Sequence, residues 1–182
     1  ERVQSFFEIN GMGMQLKMLS KIQPMLMSAL VYEAVLPCTQ TEGIELNIMQ
    51  FAKQYTKEIK GLETAAFQSA ILEKIPYSQQ AKELLFSIDS INTTKMQAEE
   101  MAKLYREQDL DKLLEYSLVT DGGTTSEVQD VMIDQRNINW VNQFPDITRD
   151  KNILMAVGAG HLGGANGLLS LLVKKGYTVR AI

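Results

Sequence analysis

Cysteine, histidine and tryptophan each occur once in 182 residues, as Cys38, His161 and Trp140. One cysteine excludes an internal disulfide and any cysteine-based zinc cluster, and one histidine excludes a site that needs two imidazoles. No apolar run approaches the roughly 18 residues of a membrane span. A basic excess is missing too. Against 22 Asp and Glu stand 18 Lys and Arg, for a net charge of −4 and a pI near 5.1, so there is no general electrostatic ground for binding nucleic acid or an anionic membrane. What is present, 45% hydrophobic and 22% charged residues, reads as one ordinary soluble domain able to bury a substantial core.

The most informative segment lies near the C-terminus. The apolar run Ile153 to Val157 is followed by Gly158, Ala159, Gly160, His161, Leu162, Gly163 and Gly164, which predicts a buried strand ending in a glycine-rich turn that presents the single histidine. Helical apolar spacing then resumes from Gly167 to Val173. Lys174 and Lys175 suit the negative end of the helix dipole, and Gly176 suits its C-cap. Tyr177 to Ile182 reads as another strand. Such a strand, turn, helix, strand unit belongs to α/β folds, where ligands gather at the carboxyl ends of strands. Gly158, Gly160 and Gly163 also spell G-x-G-x-x-G. A dinucleotide site needs an acidic residue about 20 positions further on to hold the ribose, and Arg180 stands in that region. That reading is set aside.

The rest of the chain reads as mostly helical. Apolar spacing predicts helices over 16–22 and 26–35, with Pro24 at the start of the second, where its missing N–H costs little. Five of the ten methionines fall between Met12 and Met27 and read as core filler rather than a binding surface. A loop is expected over 36–43, then a helix over 44–55. Residues 58–63 read as a short strand that turns into a helix capped by Thr64, which places Glu63 at a strand's carboxyl end, the topological address of His161. Helices run from Thr64 to Leu118, with breaks expected near Pro76, Asn92 to Thr94 and Gln108 to Asp109. Residues 121–125 read as a loop and Ser126 as the cap of a helix running to Phe144.

That last helix carries an anomaly. Steps of three and four place Arg136 and Asn137 among Val128, Met132, Ile133, Trp140, Val141 and Phe144, while Asp134, Gln135 and Asn139 face outward. A guanidinium on an apolar face needs a carboxylate, a bound anion or carbonyls.

Taken together, these segments resemble one family. Gly61-Leu62-Glu63-Thr64 with Phe67 and Gln68, Arg136-Asn137 with Trp140, Val157-Gly158-Ala159-Gly160-His161-Leu162, Gly167-Leu168-Leu169 and Gly176-Tyr177-Thr178-Val179 are similar in order and spacing to the TraB/GumN family, which includes the animal Tiki proteins. The resemblance runs from about Leu16 to the end. It implies an α/β fold, with a central, mostly parallel sheet and many flanking helices, related to erythromycin esterase and haem-binding ChaN. It implies a metal-dependent hydrolase of peptidase type, acting on a peptide or small molecule outside the cytoplasm, in the periplasm or as a secreted protein or lipoprotein.

Residue by residue, the resemblance assigns Glu63, Arg136, Asn137 and His161 to catalysis, Gly158, Gly160 and Trp140 to substrate binding, and His161 with Glu63 to a divalent zinc, manganese or cobalt ion. The family's first G-x-x-H motif and its strands have no counterpart before Leu16. The chain therefore reads as the C-terminal two thirds of the family domain, a piece of a longer protein, and the start at Glu1 rather than at methionine fits that reading. An edge left by missing strands is one that a second copy of the chain can cover. Two competing readings are a haem or apolar-ligand module with Tyr32 or His161 as axial ligand, and a scaffold with a degenerate site.

Overall fold

The computed structural model describes residues 1–19, 21–36, 38, 42–120 and 126–182. The loops expected at Pro37, Thr39 and Thr41 and over 121–125 lie outside the described residues. Helical periodicity dominates the sequence, and the described elements follow it. They are α1 Arg2–Ile9, α2 Gly13–Leu19, α3 Pro24–Val35, α4 Ile44–Gln54, α5 Ala65–Leu72, α6 Tyr77–Asp89, α7 Ile91–Glu107 and α8 Leu110–Thr120. There follow α9 Ser126–Gln129, a π-helical turn Asp130–Asp134, α10 Gln135–Thr148, a 3-10 turn Ala159–His161 and α11 Leu168–Lys174.

Punctuation explains most boundaries. Pro24 opens α3 at its first position, and the Thr64 side chain caps α5 by accepting the Phe67 N–H at 3.1 Å. Gly176 follows α11 with φ +94°, a conformation that costs glycine nothing, and its N–H returns to Val173 O. The break expected at Asn92 to Thr94 falls instead at Ser90. Thr94 is buried within α7, its hydroxyl donating to Ser87 O at 3.0 Å, so it ties the corner rather than making it.

The expected central parallel sheet is overturned: the described residues contain no strand. The run Ile153 to Val157 does keep a strand's alternation, with Ile153, Met155 and Val157 half-buried and Leu154 79% exposed. Its inward face rests on helices, however, and no neighbouring strand forms a ladder with it. The segments 58–62 and 177–182 are likewise outside regular structure. Alternation in a sequence specifies which face is buried. A sheet needs a partner as well, and local pattern does not supply one.

The described residues form two compact units. The first comprises 1–43 and 63–102, and its core joins Phe7, Met27, Val31 and Leu84. Met12 packs against this core, whereas Met14 and Met18 are exposed, so the methionine stripe is only partly core filler. Gln80 ties α6 to its neighbours from a fully buried position. Its Nε2 donates to Leu72 O and Ile75 O, and its Oε1 accepts the Met25 N–H.

The second unit comprises 44–62 and 103–182. Its core is Trp140, Val141 and Leu168, packed by Leu62, Met155, Val157, Leu162, Leu171 and Leu172. The methyl-rich side of α11 thereby faces α10 and the non-helical run before the glycine turn.

Candidate functional site

Within the second unit, α10 and the 3-10 turn bring the sole histidine against a set of polar and aromatic groups. His161 is 8% exposed and Asn137 fully buried. The Asn137 amide nitrogen donates to His161 O at 3.2 Å and to Asn166 O at 2.9 Å. With both donors committed to carbonyls, its Oδ1 is left to accept, and the His161 Nδ1–H donates to it at 2.8 Å. The network therefore assigns the Nδ1–H tautomer and leaves the imidazole lone pair at Nε2.

The other ring nitrogen faces a cation. Arg136 Nη1 lies 3.4 Å from His161 Nε2, a long contact, and the same nitrogen donates to Met132 O at 2.9 Å. The guanidinium also sits over the Trp140 ring, 4.9 Å from its centroid, and that ring stacks at a tilt on His161 with centroids 4.6 Å apart. An arginine on an apolar helix face thus finds the carbonyl and the aromatic surface it needs. Trp140 Nε1 is buried with no hydrogen-bond partner.

The turn that carries His161 is held from behind. A Cβ on Gly167 would stand 2.1 Å from Gly163 O and 2.4 Å from Leu162 O, so only glycine closes the turn onto α11. Ser170 Oγ donates to Gly164 O and Lys174 Nζ to Ala165 O, fixing the loop from the helix that follows. Gly158 and Gly160 are different, because a Cβ on either would meet nothing within 4 Å. No packing demand in the chain accounts for glycine there. An open groove of about 590 Å³ lies between Gly163, Gly164 and the α7–α8 corner at Glu107 to Asp111. His161 does not line it.

The residues named from sequence divide as follows. Arg136, Asn137, Trp140 and His161 come together, with Gly158 and Gly160 on the turn that leads into His161. Glu63 belongs to the first unit, where it accepts Gln68 Nε2 at 3.1 Å. Asp134 and Asn166 were not singled out, yet both join the network: Asn166 Nδ2 donates to Asp134 Oδ2 at 2.7 Å. Asp134, expected to face outward, stands three residues before Asn137 with helical backbone angles, and i,i+3 residues are neighbours on a helix surface, so it borders the polar group. The π turn lies just before it, where Gln135 N–H bonds to Asp130 O five residues back.

A divalent ion needs several lone pairs aimed at one point. The second unit offers one imidazole nitrogen with a guanidinium beside it, and the described residues hold no group of three His, Cys, Asp or Glu able to bind a metal. This donor set does not by itself make a divalent-metal site.

A family model described as the TraB/PrgY/gumN family matches residues 1–181. No curated protein and no solved structure matches the chain.

Proposed function

The chain belongs to the TraB/PrgY/gumN family, and from that premise we propose that it is a hydrolase of peptidase type whose proton-handling group is His161. The observation that carries this reading is the fixed orientation of the ring: Nδ1–H is committed to Asn137 and the Nε2 lone pair points toward the guanidinium of Arg136. In this role Nε2 accepts the proton of an attacking water and returns it to the leaving group. Arg136 stabilises the charge that develops on the carbonyl oxygen, held in place by Met132 O and the Trp140 face. Gly158 and Gly160, open on their Cβ side, let a substrate backbone approach the turn.

The metal that the family resemblance implies takes no step here, because the donors of this unit do not form its site. The extracytoplasmic location rests on the same resemblance and is read directly by cell fractionation. Activity is tested with a quenched fluorescent peptide library on the purified chain, on H161A, and on both with and without a chelator. Turnover that H161A lowers at least a hundredfold, a usual size for loss of an acid–base group, supports the reading. No turnover by the unsubstituted chain, or turnover that H161A leaves intact, would sink it. Turnover that chelation removes would give the chemistry to a metal instead of to the imidazole.

A further inference from the structure

His161 is oriented by Asn137, but an amide side chain has two orientations that differ little in shape, and something must choose between them. The choice is made by the carbonyls it faces. One belongs to His161 itself and the other to Asn166, and the position of Asn166 O depends on the loop 162–167. That loop residue is in turn fixed from α10's N-terminal side. Asp134 Oδ2 accepts the Asn166 side-chain N–H at 2.7 Å, the short distance typical of a carboxylate acceptor.

We propose that Asp134 is a positioning residue for His161, acting through the Asn166 backbone and the Asn137 amide. The path is continuous: carboxylate to Asn166 side chain, Asn166 carbonyl to Asn137 Nδ2, Asn137 Oδ1 to His161 Nδ1–H. Asp134 touches neither the imidazole nor the space at Nε2. Its effect is on which ring nitrogen carries the proton. Asp134 stands three residues before Asn137 with helical backbone angles, so the two side chains are neighbours on the helix and both reach Asn166, one through its side chain and one through its carbonyl.

The catalytic meaning of this residue rests on the hydrolase reading above, whereas its structural claim does not. Because the chain has one histidine, a long-range proton–nitrogen correlation spectrum of the 15N-labelled full chain reports the tautomer of His161 alone. The unsubstituted chain should show the Nδ1–H pattern. D134A should lose it in favour of the Nε2–H pattern of a free imidazole, and D134N, which keeps an acceptor oxygen at the same place, should retain it. Should D134A fail to fold, N166A, which removes the anchored side chain but keeps the carbonyl, carries the same expectation as D134A. A retained Nδ1–H pattern in whichever of the two folds, or an Nε2–H pattern in the unsubstituted chain, overturns the proposal. A peptide library left uncut would end the hydrolase reading while leaving this result standing.

Discussion

Asn137 makes three hydrogen bonds from a fully buried position; two of them go to buried His161 and one to the carbonyl of Asn166, a residue that is exposed. Truncation to alanine leaves two carbonyls and an imidazole N–H in search of partners. The expected loss is roughly 2–4 kcal/mol of unfolding free energy, read from urea denaturation. Two glycines in the same turn should behave in opposite ways. Gly167→Ala forces a methyl into two carbonyl oxygens and should cost more than about 3 kcal/mol, while Gly160→Ala enters open space and should stay within about 0.5 kcal/mol of the unsubstituted chain. If Gly160→Ala also abolishes peptide cleavage without loss of stability, the open side of the turn is where substrate lies. If it changes neither, that assignment of Gly160 is wrong. The arginine and asparagine were legible in the sequence because a polar group on an apolar stripe must be paired, and the histidine because a glycine-rich turn after an apolar run presents it. Asp134 and Asn166 were not, because each looks like an ordinary solvated residue until the path of the loop that brings them together is known.

Helices were the readable elements. Three- and four-residue spacing, Pro24 at a start, Thr64 as a cap and Gly176 past an end are local statements, and the chain obeys them locally. Two elements escaped for opposite reasons. The run Ile153 to Val157 has a strand's alternation, yet its partners are helices, so the pattern told the face correctly and the architecture wrongly. The π turn escaped because counting by 3.6 residues assumes the very register it breaks. The start of α8 offers a test of a cap. Asp109 Oδ1 accepts the Lys112 N–H at 3.1 Å and its Oδ2 pairs with Lys112 Nζ at 2.9 Å. The hydrogen bond from the Lys112 side chain, followed by that from its backbone N–H, holds the Asp109 carboxyl below its ordinary value, and the Asp109 partner raises Lys112. A carboxylate favoured by the fold contributes stability above the ordinary carboxylate range, lost as pH falls through its lowered folded value. For Lys112 the contribution is complete at neutral pH and fades only as pH rises through its raised alkaline value. D109N should therefore be less stable than the unsubstituted chain at neutral pH, with the gap closing in acid. Both groups are on the surface, so added salt should shrink the effect. A gap that persists unchanged into strong acid would assign the difference to something other than charge.

For the whole chain, the single tryptophan is a convenience that its position makes specific. Trp140 lies at the centre of the second unit's core, so its fluorescence follows that unit. Leu62 packs on the same core from a segment remote in sequence. Leu62→Ala should lower the tryptophan-monitored unfolding midpoint by the equivalent of about 1–3 kcal/mol, near the lower end for leucine truncation because Leu62 is only half-buried. An unchanged midpoint would show that residues 44–62 add nothing to that core. The family match spans 1–181 and so takes in both units, and the hydrogen bonds described around the imidazole join residues from Met132 to Asn166.

The interleaving of the two units also bears on how the chain is made. Every residue of the first unit has been synthesised once Ala102 has been added, but Ile44–Leu62 belongs with residues that are translated much later. Leu62 waits for Trp140, Met155 and Leu168 before its core can close. During that interval the nascent chain has nothing of its own to set against Leu62. A chaperone that binds exposed apolar side chains has that interval in which to act on Leu62.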